Sequence, residues 1–415
     1  MSPPAITRSR RSAALGFVLV TMLLDIMGIG VIVPVLPSLV GEFTVSREMQ
    51  SYWYGGLLAS FGLMNFLASP LLGALSDRFG RRPVLLLSTF GLGTDFVLQA
   101  LSPTLGWLLV ARLIGGVTSA SFTISSAYVA DVTPPEGRSR GFGMLGAMFG
   151  VGFIVGPMVG GLLGAHDVRL PFYVSGALCL INCAYGFFIL PESHPKEKRT
   201  PIVLAKLNPF GAVGALRSAP GVGALVLVYC LATFAQLVLQ ATWVLFTTFR
   251  FSWGPGQNGV ALFAVGVCAV IVQGGLLGRL VKRFGEAPLA IAGLASGTVA
   301  YTLYGLAPQG WMLYVIIYAN FLSFAVAPAL QGLVSKSFDA SQQGYIMGSL
   351  SAISSMIMVV TPLIGTGLLG SVSHLPPHDW RVGISFFLCS ALQGAALLIA
   401  WQRLRGAVSA SPAPG

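Results

Sequence analysis

Gly73-Ala74-Leu75-Ser76-Asp77-Arg78-Phe79-Gly80-Arg81-Arg82 is a short charged hinge between two long apolar runs, 51–72 and 83–101. It packs one acid, three bases and two glycines into ten residues. A link this short between two membrane-length segments makes them antiparallel neighbours. Asp77 and Arg81 are four apart, the spacing that shares a helix face. Gly73 and Gly80 allow close backbone approach and a tight turn.

The rest of the chain fits the same environment. Hydrophobic residues make up 55% and charged residues 9%. Mean hydropathy is +0.81. Soluble domains carry roughly 25% charged residues, so a soluble chain of two or three domains is excluded. Apolar runs of about 20 residues recur along the length, each long enough to span a bilayer as a helix. Backbone groups in lipid must be satisfied within the segment, which demands helix. The runs do not alternate with period two, which excludes a β-barrel. Arg8, Arg10 and Arg11 precede a first apolar run that imitates a signal peptide. That run reaches about Leu39, contains Asp25 and lacks a small-residue cleavage site, so it reads as the first span.

The spacing predicts twelve helices near 13–36, 51–73, 83–101, 105–130, 141–164, 170–190, 221–249, 257–278, 288–307, 311–334, 344–370 and 382–402. Residues 1–190 read as a six-helix bundle, 191–220 as a linker and 221–415 as a second six-helix bundle. The net charge of +11 does not indicate a nucleic-acid partner, because the bases are sorted by side. Of 24 Lys and Arg, nineteen fall in the termini, the linker and alternate loops. Four (Arg47, Arg169, Arg250 and Arg381) fall opposite, and Arg112 lies within a span. That bias places both termini and the linker in the cytoplasm.

The halves repeat. A shift of 205 residues lays Gly73, Leu75, Arg78, Phe79, Gly80 and Pro83 on Gly278, Leu280, Arg283, Phe284, Gly285 and Pro288. The same shift carries Pro157 to Pro362 and Gly160 to Gly365. Parallel repeats of this kind belong to transporters that bind substrate near the membrane midplane.

Three ionisable residues lie well inside the spans: Asp25, Asp95 and Arg112. A charge there costs at least ~2.5–3.5 kcal/mol on insertion scales, so each should face a cavity or a partner. An acid beside a low-dielectric cavity can load and release a proton. Arg112 keeps its charge and is the natural partner for an acid. The plainer reading of all three is a structural pair or a neutral acid. Gly152, Gly156 and Gly160 are spaced by four on the fifth helix, which permits close helix packing, and Pro157 kinks it. Asp131 closes the fourth helix on the side of the hinge, with Glu136, Arg138 and Arg140 following. These charges fit a latch between helix ends and fit topology charge equally well. Asn65, Gln236, Gln240, Gln273, Asn320 and Gln331 could line a site for an amphiphilic ligand or simply bond helix to helix.

Other chemistries find no support. The five cysteines all lie in apolar runs, against a disulfide framework or a metal site. The four histidines lie in loops. No Walker A sequence is present, against ATP-driven transport, and no nucleophile–base set is apparent. The expectation is a non-enzyme with no bound cofactor.

The hinge resembles the loop between the second and third helices of the major facilitator superfamily. Pro83-Val84-Leu85-Leu86-Leu87-Ser88 extends the likeness to the tetracycline–proton antiporters of that superfamily. Leu24-Asp25-Ile26-Met27-Gly28-Ile29-Gly30 with Pro34-Val35-Leu36-Pro37 is similar to their first helix. Asp95-Phe96, Arg112 with 115–120, Tyr128-Val129-Ala130-Asp131 and Pro191-Glu192-Ser193-His194 extend the match. The fifth helix resembles the antiporter motif. The resemblance implies a proton-coupled exporter in the bacterial cytoplasmic membrane, taking tetracycline, as a divalent-metal chelate, or a similar drug. Asp25 and Asp95 would couple protons, with Arg112 their charge partner. Gly73, Asp77, Arg78, Gly80, Arg81, Asp131 and Arg138 would gate the cytoplasmic side. Two positions depart from the family: Cys268-Ala269 where its eighth helix often has a histidine, and Ser296 where its ninth often has an aspartate. The alternatives are export of another drug or metabolite, or a sensor or scaffold on the same fold. Oligomeric state is not readable from the chain.

Overall fold

A computed structural model describes residues 8–119, 121–134, 137–201, 223–338 and 343–409. Every regular element among the described residues is helical. Eleven helices are long and apolar enough to cross a bilayer, and a bent pair, Trp311–Ala319 with Phe321–Lys336, supplies a twelfth. This is the all-α, twelve-span membrane fold that the hydropathy predicts. Large apolar side chains lie bare on its surface, among them Phe188 at 82% and Leu398 at 64% exposure. Such residues are at home against lipid and not against water.

The boundaries carry corrections, each with a local cause. The second span runs Arg47–Phe79 and the third Arg81–Ala100, so the hinge shrinks to Gly80 alone. Gly80 has φ 107 and ψ 157, backbone that is essentially glycine-only. Gly285, 205 residues on, repeats this with φ 82 and ψ 167. The first helix stops at Ile32, and a short helix Leu36–Gly41 follows, because Pro34 has no N–H to extend the ladder. The fourth span breaks between Leu105–Thr118 and Ser121–Val132. There the hydroxyls of Thr118 and Ser119 turn back onto the carbonyls of Ile114 and Gly116, at 3.0 Å each. The tenth bends by 50° at Asn320. The eighth carries a π-helical turn, Ile271–Leu276, containing Gly274 and Gly275. Glu136 and the linker residues 202–220 lie outside the described residues.

The chain divides into two compact units, Met1–Leu39 with Ser60–Asn208, and Val40–Ala59 with Pro209–Gly415. In the first, Phe17, Met22 and Ile26 of the first span pack with Leu72, Leu85, Ile124 and Tyr128. In the second, Val228, Leu294, Leu330, Ile346 and Ala396 share a core. The amino-terminal part of the second span packs here. A Cβ on Gly55 would lie 3.1 Å from the Pro362 carbonyl oxygen.

The four arginines opposite the basic loops are all engaged. Arg169 donates to the carbonyls of Ala100 and Ser102, at 3.0 and 2.9 Å. Arg250 donates to those of Ala307 and Asp379, at 2.8 and 3.0 Å. Arg47 lies over the Phe249 ring at 5.3 Å. Arg381 pairs with Asp379 at 2.6 Å and, through its hydrogen bonds, holds that loop carboxyl down at about 2.

Candidate functional site

The third and fourth spans present an acid and a base to each other inside the first unit. Asp95 is fully buried and Arg112 is 4% exposed. The Arg112 Nη2 donates to Asp95 Oδ2. Gln99, one turn on, donates to Asp95 Oδ1 at 3.0 Å. The guanidinium also lies over the Phe61 ring at 5.0 Å. Gly115 makes room: a Cβ there would stand 2.5 Å from Asp95 Oδ2. Arg112 Nε and Gln99 Oε1 are buried without hydrogen-bond partners, so the network is incompletely satisfied.

Asp25 stands apart from this pair. It is 4% exposed, and neither carboxylate oxygen has a hydrogen-bond partner. The Ser121 hydroxyl, just past the break in the fourth span, interacts with this carboxylate outside strict hydrogen-bond geometry, and the Ser125 hydroxyl has no partner. The predicted partner Arg112 is therefore committed to Asp95. The fifth span seats tightly beside Asp25. A Cβ on Gly152 would lie 3.0 Å from Ile26 Cβ, and one on Gly156 would lie 2.6 Å from the Met27 carbonyl oxygen. A Cβ on Gly160 would lie 2.7 Å from Val31 Cα. Gly30 faces Pro157 with equal closeness, its own Cβ position 2.8 Å from Pro157 Cδ. The small-residue stripe read from sequence is thus a backbone-on-backbone contact against the acid's own helix.

At the charged end of the first unit, Arg81 is the hub. It pairs with Asp77 at 2.5 Å and with Asp131 at 3.2 Å, and bonds the Ser76 hydroxyl at 2.6 Å. Arg78 and Arg138 are exposed, and Gly73 has open space where a Cβ would stand. The residue that sequence reasoning passed over is Glu192. Its Oε1 accepts from the Arg81 and His194 backbone N–H groups at 2.9 Å each, and its Oε2 from that of Arg82 at 3.3 Å. A carboxylate on the free N–H groups of a helix start is a strong cap. Tyr128 holds the segment by donating to the Pro191 carbonyl at 2.8 Å. The signal was present in Pro191-Glu192-Ser193-His194, which reads from sequence only as a helix exit.

The predicted polar lining is mostly spoken for. Asn65 Oδ1 accepts from Ser69 at 2.8 Å. In the second unit, Gln236 accepts from Tyr301 at 2.9 Å, and Asn320 accepts from Ser296 at 2.9 Å. Gln273 and Gln331 make longer bonds, both 3.3 Å. Gln240 is exposed. An apolar cavity of about 520 Å³ lies in this unit, walled by Cys230, Phe234, Ile353, Met356, Ile357 and Leu392. No group of three or more His, Cys, Asp or Glu side chains among the described residues is placed to hold a metal ion.

Twelve apolar helical spans in a two-fold sequence repeat, with charged groups inside the spans, define a secondary-transporter architecture. The chain matches the Major Facilitator Superfamily model over residues 18–362. It is 39% identical to the class C tetracycline resistance protein of Escherichia coli, over 90% of this chain and 94% of that one. It is 33% identical to the class G tetracycline resistance protein of Vibrio anguillarum, over 91% and 96%. Among solved structures, the human organic anion transporter MFSD10 (TETRAN) aligns with a TM-score of 0.67 at 25% identity, covering 96% of this chain and 100% of that one. The chain belongs to the major facilitator superfamily and, within it, to the family of the tetracycline resistance proteins.

Proposed function

We propose that this chain exports tetracycline, or a drug of similar amphiphilic character, in exchange for protons by alternating access. The observation that carries the reading is Asp25. Its carboxylate is buried in a span with no well-formed hydrogen bond and the Ser121 hydroxyl in reach, in a chain whose relatives are tetracycline resistance proteins. An unpaired buried acid is the group whose surroundings respond most to gain or loss of one charge. Asp95, held by Arg112 and Gln99, is the second coupling acid. Arg81, Asp77 and Asp131 gate the charged end, with Gly80 as the turn and Glu192 capping it. The glycine stripe and Pro157 hold the first and fifth spans close. Gln240, which is exposed, and Gln236, Asn320 and Asn65, which would exchange their present bonds, are the polar groups that meet substrate.

The protein sits in the bacterial inner membrane, with both termini and the linker in the cytoplasm, a placement the charge bias supports. The drug is carried with Mg²⁺ as part of the cargo, and the proton gradient drives export. Ser296 supports a second reading within the same class. It is bonded to Asn320 where the family often has an acid, which favours a drug recognised without that charge.

The test is proton release from energised everted vesicles on addition of tetracycline with magnesium. The wild type releases protons, and Asp25→Asn abolishes the release at normal abundance. Silence of a folded, inserted wild type overturns the tetracycline assignment, and a panel of amphiphilic drugs then identifies the cargo.

A further inference from the structure

The 205-residue shift that relates the halves carries Arg81 to Glu286 and Asp131 to Lys336. Arg81 pairs with Asp131 at 3.2 Å in the first unit, and Lys336 pairs with Glu286 at 2.8 Å in the second. The same two positions are bridged in both halves with the charges exchanged. Identical residues reveal the repeat, and at these two positions the halves carry opposite charges, so the correspondence is hidden in the sequence.

The exchange has a physical consequence. A helix start is electropositive and a helix end electronegative. Arg81 opens the third span and Asp131 lies in the last turn of the fourth, so each charge opposes its own helix. Glu286 opens the ninth span and Lys336 closes the tenth, so each charge agrees with its helix. The first pair also shares its arginine with Asp77, and the third span borrows Glu192 as a cap. The ninth span starts without a side-chain cap, and Glu286 lies against Gly332, where a Cβ would stand 2.7 Å from Oε1.

We propose that Glu286 and Lys336 are positioning residues for export: a clamp that makes the facing ends of the ninth and tenth spans move as one piece. The broken tenth span explains the need. Its carboxy-terminal part, Phe321–Lys336, turns by 50° at Asn320 and packs through Val326, Ala329 and Leu330 into the core that holds Leu294 of the ninth span. A tie at its far end keeps that part in step with the ninth span. The clamp sets the rate of the conformational step and leaves drug affinity unchanged, because neither residue is part of the proposed drug or proton site.

This inference rests on the proposed exporter reading, so the experiment separates the two. Drug-dependent proton release is measured in everted vesicles, per folded protein, for wild type, Glu286→Gln, Lys336→Met, Lys336→Arg and the exchange Glu286→Lys with Lys336→Glu. The expected result is a fall of about threefold or more in maximal rate for the first two variants, at an unchanged half-saturating drug concentration. Lys336→Arg and the double exchange recover most of the rate. Lys336 is 70% exposed, so its variants test the pair without burying a new group. Wild-type rates in both neutral variants overturn the clamp. So does a double exchange as slow as the single changes, or a loss confined to drug affinity. An inactive wild type instead overturns the exporter reading.

Discussion

Asp95 and Arg112 in the first half stand where, 205 residues later, the second half has Ala300 and Ile317. All four are buried: Asp95 fully, Arg112 at 4%, Ala300 at 4% and Ile317 at 1% exposure. One site is a buried ion pair and its counterpart is plain hydrocarbon. Exchanging a buried pair for well-packed apolar residues is often neutral or stabilising by ~1–4 kcal/mol. The second half demonstrates that this fold position can be built without charge. The pair is therefore not what the fold requires, which leaves room for the coupling role proposed for it. The same contrast recurs nearby. Asp25 is replaced by Cys230, and Gly152 and Gly156 by Ile357 and Thr361. Where glycines press the fifth span onto the first, Cys230 and Ile357 instead wall the apolar cavity.

The sharpest way to break this comparison is to transplant the second half's residues. Asp95→Ala or Arg112→Ile alone should cost ~3–5 kcal/mol by stranding a buried charge, read as loss of folded protein from the membrane. The double change should restore abundance and heat resistance while drug-driven proton release stays absent. A double variant that still exports would show the pair to be dispensable for coupling. A smaller effect is expected from Gly156→Thr, which installs the residue of the second half. Overpacking against the Met27 carbonyl should cost ~1–3 kcal/mol and slow transport, checked by thermal melting and uptake in vesicles. Thr361→Gly, the reverse change, should leave coupling intact.

The smallest difference lies between the two glycine turns. Gly80→Ala and Gly285→Ala each place a side chain in glycine-only backbone, at ~1–3 kcal/mol. At Gly80 the new Cβ also meets the Glu192 carboxylate and comes within 2.9 Å of Arg199 Nη2, whereas at Gly285 the nearest atom is Pro288 Cδ at 3.8 Å. Gly80→Ala should therefore lower the melting temperature more than Gly285→Ala. Equal shifts would remove Glu192 from the account of that turn.

Much of this was legible in the chain. The apolar runs could only be spanning helices, since no other backbone survives in lipid. The glycine and proline landmarks exposed the repeat, because backbone requirements leave fixed residues behind. The in-span charges marked themselves by their cost. Less was legible where polar side chains choose among partners. The sequence offered Arg112 to either acid, and only the packing of the third span on the fourth assigned it to Asp95. Glu192 lies 111 residues from Arg81, too far for any local pattern to join them.

The sequence by itself determined the membrane, the span count, the repeat and the short roster of costly charges. These follow from solvation and backbone chemistry, which act residue by residue. The tertiary structure decided which charges neutralise one another, which acid is left alone, and where helices break. Those depend on distances between segments far apart in the chain. A pair with its charges exchanged, such as Glu286 and Lys336, becomes visible only when both ends are in place.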